Sequence, residues 1–380
     1  MSPGLTRRNY FLDGLSGSSM LFYIASSFKS KPMSILYVAD DKDKAAYSYD
    51  TLMTLLGGDI MLLTDSFRRP GNYVEINTAN VLRRSEVAST LVNGMKPSII
   101  VAYPESIFEM VVNPVELDKD KITVKVGEKF DRDFVIEILI EYGFERVDFV
   151  YEPGQFSLRG AIVDIFSFGN GQPYRIEMDD DKVESIRIFD PESQLSIKNV
   201  DFLNILPNAN TKFEAIDRIP LFEILKEDCQ IVLEDRGFIT ERMAILYEKA
   251  EEIIQSISMV EQPESQKFFK DRSFISPEMW EKSLNKYSVF YLTKPDGRIK
   301  CQTLNFETKP HPVISKQFKL LVTHLEKNEH EGIETWFFSE NARQIKRLES
   351  ILTDLGAKNT FQPVIGSIHE GFLDTKSKIE

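Results

Sequence analysis

Three short stretches of unbroken apolar residues, each leading into a different pattern, constrain the fold of this chain more than any other feature. Ser34-Ile-Leu-Tyr-Val-Ala39, Ile60-Met-Leu-Leu63 and Ser98-Ile-Ile-Val-Ala102 lack the apolar–polar alternation of a strand with one wet face, so each must be covered on both sides. Such strands belong to parallel sheets sandwiched between helices. Helical patterns sit between them, from about Lys44 to Gly57-Gly58 and near Ala79–Asn93, and Asp40-Asp41 offer side-chain oxygens to cap the first. The repeat predicts an α/β domain whose first half occupies 1-112.

After Asn113-Pro114 the period changes from helical to two. Phe156–Phe166, Tyr174–Met178 and Glu184–Phe189 alternate between Gly and Asp turns, with one predicted helix near Asp131–Gly143, which gives a β-rich α+β insert over 113-206. A helical pattern through Phe213–Glu227, the apolar run Gln230-Ile-Val-Leu233 and a charged amphipathic helix over Gly237–Ser258 predict that the α/β domain resumes over 207-309. Beyond the turn-rich Lys309-Pro310-His311-Pro312, the segments Gln317–Lys327, Thr335–Phe338, Glu340–Leu355 and Val364–Ile368 alternate helix and strand. They predict a small α/β domain over 310-380. The sequence stops at GFLDTKSKIE with no element closing this last unit, and truncation is the expectation.

Composition removes several classes of function. With 380 residues, a 42% hydrophobic share and 28% charged residues, the chain can bury several cores, while a net charge of −13 excludes a broad basic surface wrapped by nucleic acid. Cys229 and Cys301 lie far apart, as in a reducing compartment, and neither has the setting of a nucleophile. His311, His324, His330 and His369 form neither HxH nor HExxH, so no metal site is expected. No run of about 18 apolar residues and no signal-peptide core are present, and the expectation is a cytoplasmic protein off the membrane.

Asp13-Gly14-Leu15-Ser16-Gly17-Ser18-Ser19-Met20-Leu21 precedes a predicted helix over Leu21–Ser30, where a phosphate-binding loop would lie. A working loop reads G-x-x-x-x-G-K-[ST]: the second Gly admits the phosphate, the Lys reaches its oxygens and the Ser or Thr holds magnesium. Registered on Gly14, those positions carry Ser19, Met20 and Leu21. Gly17 keeps the loop small without restoring any of them. The segment is either a nucleotide loop that has lost its chemistry or a glycine-rich helix start that never had any. Glu234-Asp235 follow the Gln230–Leu233 run like an acidic Walker pair in reversed order, and also fit a solvated turn.

In the insert, an Arg sits between apolar or small neighbours in each strand: Leu158-Arg159-Gly160, Tyr174-Arg175-Ile176 and Ile186-Arg187-Ile188. Period-two geometry turns all three guanidinium groups to one outer face. The face is either an ordinary charged surface in which Glu177 and Glu184 pair with the arginines, or a docking surface, since Arg is enriched at interface hot spots. An acidic chain with a local Arg face fits a protein partner better than DNA.

Glu152-Pro-Gly-Gln-Phe-Ser-Leu-Arg159-Gly160-Ala-Ile-Val-Asp-Ile-Phe166 and the run from Tyr174-Arg175 to Gln194 resemble the amino-terminal region of bacterial transcription-repair coupling factors (Mfd) and, through it, UvrB. The likeness extends more weakly to Gly14-Leu-Ser-Gly-Ser, similar to the family's degenerate phosphate loop, and to Trp336–Leu355 with His369-Glu-Gly-Phe372, similar to its third domain. The resemblance implies a split P-loop-NTPase-like (UvrB-like) α/β domain, an insert that binds UvrA, and Arg159 and Arg175 on the contact surface. Arg187 joins them by the strand-face argument alone. The family has an aromatic residue where this chain has Asp179, which removes one anchor. In full-length relatives, an RNA polymerase-binding domain and an ATP-driven double-stranded DNA translocase follow.

The reading predicts a non-catalytic docking module without cofactor. Its rivals are an active UvrB-like damage-binding ATPase, which needs a Lys at Met20, and a scaffold for some other partner. Replacing Arg159 and Arg175 by Ala should weaken UvrA binding and leave the melting temperature unchanged.

Overall fold

The computed structural model describes residues 8–58, 60–69, 72–93, 96–113, 122–167, 172–205, 218–258, 274–314, 317–358 and 360–380. The apolar runs lie side by side in one half of a seven-stranded sheet, in the order Gln302–Asn305, Asn9–Asp13, Ser288–Tyr291, Gln230–Leu233, Ile35–Val38, Ile99–Ala102, Ile60–Leu62. Every pairing is parallel. Ile35–Val38 and Ile99–Ala102 are buried at each position, as their unbroken hydrophobicity requires.

Alternate residues of these strands feed two cores. Leu12, Tyr37, Val101 and Phe290 meet Met20, Leu21 and Ile24 of helix Ser19–Ser30 and Leu52 of helix Lys42–Leu56. Leu36, Ile100, Ile231 and Val289 meet Met243 of helix Arg236–Ser258 and Trp280 of helix Pro277–Leu284 on the other face. Helix Lys42–Leu56 starts where the Asp41 side chain accepts from the Lys44 amide, and stops at Gly57, whose φ of +79° few other residues would adopt.

One predicted helix is not there. Where the pattern through Phe213–Glu227 is described, from residue 218, it is a two-residue strand, Arg218–Ile219, then a single 3-10 turn at Leu221–Glu223. Pro220 has no amide hydrogen to continue a ladder, and Leu221 and Phe222 spend their hydrophobicity in the core instead. The earlier part of that pattern lies outside the described residues. The strands Asn9–Asp13, Ser288–Tyr291 and Gln302–Asn305 join the sheet without having been expected from the sequence.

Residues 122–167 and 172–205 form a separate layer. A six-stranded sheet runs Ser196–Val200, Lys182–Phe189, Tyr174–Asp179, Ile162–Phe166, Gln155–Arg159, Glu145–Arg146; all its pairs are antiparallel except the last. One face buries Phe156, Ile165, Ile176 and Ile186 against Val135 and Leu139 of helix Arg132–Glu141. Ile122–Lys125 and Phe202–Ile205, at the two ends of this layer, pair antiparallel with each other. On the body side, Val111–Val112 pairs with Arg218–Ile219 in the same way.

The last unit places helices Phe318–Glu331 and Ala342–Asp354 with the parallel strands Thr335–Ser339 and Phe361–Ile365. Thr308–Pro310 pairs with Phe372–Asp374 beside it. No helix among the described residues is long and apolar enough to cross a membrane.

Candidate functional site

Two regions hold the residues singled out in the sequence, and the structure treats them differently. In the first, strand Asn9–Asp13, which the sequence did not reveal, turns through the loop into helix Ser19–Ser30, so the loop does precede a helix as expected. Gly14 and Gly17 have φ of +83° and +55°, a region that disfavours side chains.

The space around this loop is filled by the chain itself. A Cβ on Gly14 would stand 2.2 Å from the Phe306 carbonyl oxygen, and one on Gly17 would stand 2.6 Å from that of Gly371. The Ser16 amide donates to Thr308 Oγ1 (2.7 Å) and to Ser19 Oγ (2.9 Å), while the Ser18 amide donates to the Glu370 carbonyl (3.1 Å). The Glu370 amide returns a bond to Ser18 Oγ (3.1 Å). Amides that would cradle a phosphate in a working loop therefore already have partners. Met20 and Leu21, at the Lys and Ser/Thr positions, are buried in the core below the loop.

The acidic pair after Gln230–Leu233 is no solvated turn. Glu234 is largely buried; it accepts from the Tyr37 hydroxyl, the Asp40 amide (3.1 Å) and Lys44 Nζ (3.3 Å). Burial raises its carboxyl above the ordinary range. Asp235 caps the next helix through the Phe238 amide (2.9 Å). Cys229 is equally inert, its thiol pushed up to about 12 by burial.

The second region is the outer face of the insert sheet. Cross-strand register places Ser157, Asp164, Arg175, Arg187 and Asn199 in one row, with Arg159, Glu177 and Ser185 in the next. The three arginines do share a face, opposite the helix-covered core. They are not free, however.

Asp164, with a fully buried side chain, lies between two of them: Arg175 Nε and Nη2 grip it bidentately at 2.8 and 2.9 Å, and Arg159 Nη2 donates to Oδ2. Arg175 Nη1 also donates to the Gln194 carbonyl (3.2 Å), and the hydrogen bond with Asp164 raises the pKa of this guanidinium. Arg187 pairs with Glu177, as the ordinary-surface reading expected, while Glu184 is exposed. Asp164 and Glu177 thus offset two of the three arginine charges, while Asp179 is matched by Lys182 across the hairpin.

A roof covers Arg175 more than Arg159. Val147 and Val150 cross the outer face and form a small cluster with Phe166 and Phe189, and Gln194 Nε2 donates to the Val150 carbonyl (3.2 Å). Arg175 lies under this roof, stacked on Phe189 at 4.5 Å and only 15% exposed. Arg159 lies at its edge, 35% exposed and 4.9 Å from the ring of Phe149, itself 47% exposed. Leu195 and Ile197 add exposed apolar surface on the same sheet. Asp179 is exposed at the hairpin end, opposite Lys182.

The contact with Asp164 argues against the expectation that losing both Arg159 and Arg175 spares stability, since removing Arg175 would leave a buried carboxylate short of a partner. Sequence reasoning missed Asp164 and Phe149. Asp164 was within reach, since period two puts it on the arginine face between apolar neighbours; Phe149 lies in an irregular segment whose path no pattern gives.

Residues 122–210 match the UvrB interaction domain family. The chain is 26% identical over 290 residues to the transcription-repair-coupling factor of Bacillus subtilis, covering 76% of this chain and 23% of that protein. The Staphylococcus epidermidis factor is 24% identical over 96% of this chain and 35% of its own length. That of Staphylococcus aureus strain MW2 is 31% identical over 60% of this chain and 19% of its own. The chain thus spans between 23% and 35% of the length of the first two relatives.

Proposed function

We propose, from a chain that resembles the amino-terminal region of transcription-repair-coupling factors and carries a UvrB interaction domain match, that its insert docks UvrA for nucleotide excision repair. The body then acts as a non-catalytic P-loop-NTPase-like scaffold in two halves around the docking insert. In a full-length factor, RNA polymerase and double-stranded DNA are the partners of the remaining length, and ATP-driven translocation is its activity.

The observation that carries this reading is the edge of the roof. Arg159 and Phe149 form an exposed cation–aromatic pair, fixed from beneath by buried Asp164. An Arg with a planar, preorganised guanidinium beside an aromatic ring is what interface hot spots consist of, and holding it in place before docking lowers the entropy lost on binding. Arg175 acts through Asp164 as the residue that positions the pair. The self-filled loop supports the absence of nucleotide chemistry, because an ATPase would have to expel Thr308 and Gly371 before phosphate could approach Gly17.

Titration of purified chain with UvrA tests the reading. Saturable binding that weakens in Arg159→Ala, with the circular dichroism spectrum retained, is the expected result. Wild-type affinity in that variant would count against docking through this face, and measurable heat of ATP binding would return the ATPase reading to contention.

A further inference from the structure

The last unit brings together three residues that nothing in their sequence spacing connects. His311 comes from the segment leading into the unit, His324 from helix Phe318–Glu331, and Glu380 from the stretch beyond Asp374. One ligand-capable atom from each lies within 4.8 Å of the other two. His324 Nε2 is 2.6 Å from Glu380 Oε2 and His311 Nε2 is 3.8 Å from Glu380 Oε1, with the two imidazole rings edge to face at 5.5 Å.

Hydrogen bonding alone leaves this cluster incomplete. Glu380 has a side chain only 3% exposed, and its Oε1 has no hydrogen-bond partner among the described residues. An unpartnered carboxylate oxygen away from water is costly, and a cation is one of the few groups that can satisfy it. The other oxygen is held in place, since Asn328 Nδ2 donates to Glu380 Oε2 and also to Thr335 Oγ1 (2.9 Å). Such an outer hydrogen bond is the usual means of fixing a carboxylate ligand. The three residues line a cavity of about 1400 Å³, which leaves room for a further ligand.

We propose that His311, His324 and Glu380 bind one divalent transition-metal ion of the zinc type. Two imidazole nitrogens and a carboxylate are a borderline-soft set suited to zinc rather than to calcium or magnesium, and three protein ligands leave a fourth position for water. Bound metal would tie the segment after Pro310 to the helix and to Glu380, stiffening the stretch where the His311 amide donates to the Gly371 carbonyl that fills the loop at Gly17. The inference concerns a site away from the docking face and stands whether or not UvrA binds.

The test uses the whole chain, stripped with chelator and titrated with Zn²⁺ by calorimetry and with Co²⁺ by visible absorption. One ion per chain, the d–d bands of a four-coordinate cobalt site, and a rise in melting temperature with Zn²⁺ are the expected results. His324→Ala and His311→Ala should each abolish saturable binding, whereas His330→Ala and His369→Ala should retain it. Asn328→Ala should lower affinity by about 10- to 100-fold, as loss of an outer-shell partner does. Glu380→Gln keeps the side-chain shape and an oxygen to accept from Asn328, so it should weaken the metal while leaving the metal-free melt as it was. Absence of saturable binding to the folded wild-type chain, or binding that survives both His311→Ala and His324→Ala, overturns the proposal.

Discussion

The loop at Gly14–Leu21 and the arginine face of the insert both present hydrogen-bond donors at the surface of a sheet, yet the fold disposes of those donors in opposite ways. At the loop, backbone amides are taken by Thr308 and Glu370, and Met20 and Leu21 turn into the core. On the insert, a buried carboxylate takes part of each of two guanidinium groups and leaves Arg159 at the edge beside Phe149. A consumed donor is structural and a held donor is ready for a partner. Exposure, rather than residue type, separates the two.

The largest test of this contrast removes the holder. Asp164→Ala should destabilise the insert by about 3–5 kcal/mol, because two guanidinium groups lose their buried counter-ion. A thermal melt matching the wild type would mean that the arginines are ordinary surface charges after all. On the loop side, Gly14→Ala forces a side chain into positive φ and against the Phe306 carbonyl, and should cost about 2–3 kcal/mol. An unchanged melt would show the loop to be open rather than filled.

Arg159→Ala sharpens the comparison from the binding side. It should lose about 2 kcal/mol of UvrA affinity, roughly 30-fold, while Arg175→Ala should lower the melting temperature as well. Equal stability losses in both variants would erase the distinction between contact and positioning. The smallest effect belongs to Glu234. Its carboxyl is raised above the ordinary value in the folded chain, so on raising the pH the unfolded chain releases that proton first. Its contribution to stability is thus full below the ordinary carboxylate value and declines as pH rises through the raised one. Glu234→Gln should show a smaller loss than the wild type across that window in melts taken from about pH 4 to pH 7.

Much of the body was legible because burial on both faces demands unbroken apolar runs, and Ile35–Val38 or Ile99–Ala102 admit no other reading. Asn9–Asp13 and Gln302–Asn305 escaped because partial exposure near the sheet edge permits polar residues that blur the pattern. The predicted helix through Glu227 failed where Pro220 met a need to bury Leu221 and Phe222, a tertiary demand overriding local periodicity. On the arginine face, period two put three arginines together but gave no count of their anions. That needed the cross-strand register of Asp164 and Glu177. The histidine pair and Glu380 were illegible for the same reason, since residues 56 apart meet only once helices and strands are packed.

The pairing of Val111–Val112 with Arg218–Ile219 has a further meaning. The chain departs from the body and comes back to it at hydrogen-bonded neighbours, and Ile122–Lys125 beside Phe202–Ile205 repeats that closeness at the base of the insert. To the parallel sheet, the whole excursion has the span of a hairpin, and the entropy of closing a loop grows only slowly with the length of chain between its ends. Such a junction is a socket. The insert could be lengthened, trimmed or exchanged for another module in the course of descent without the sheet that carries it having to change register.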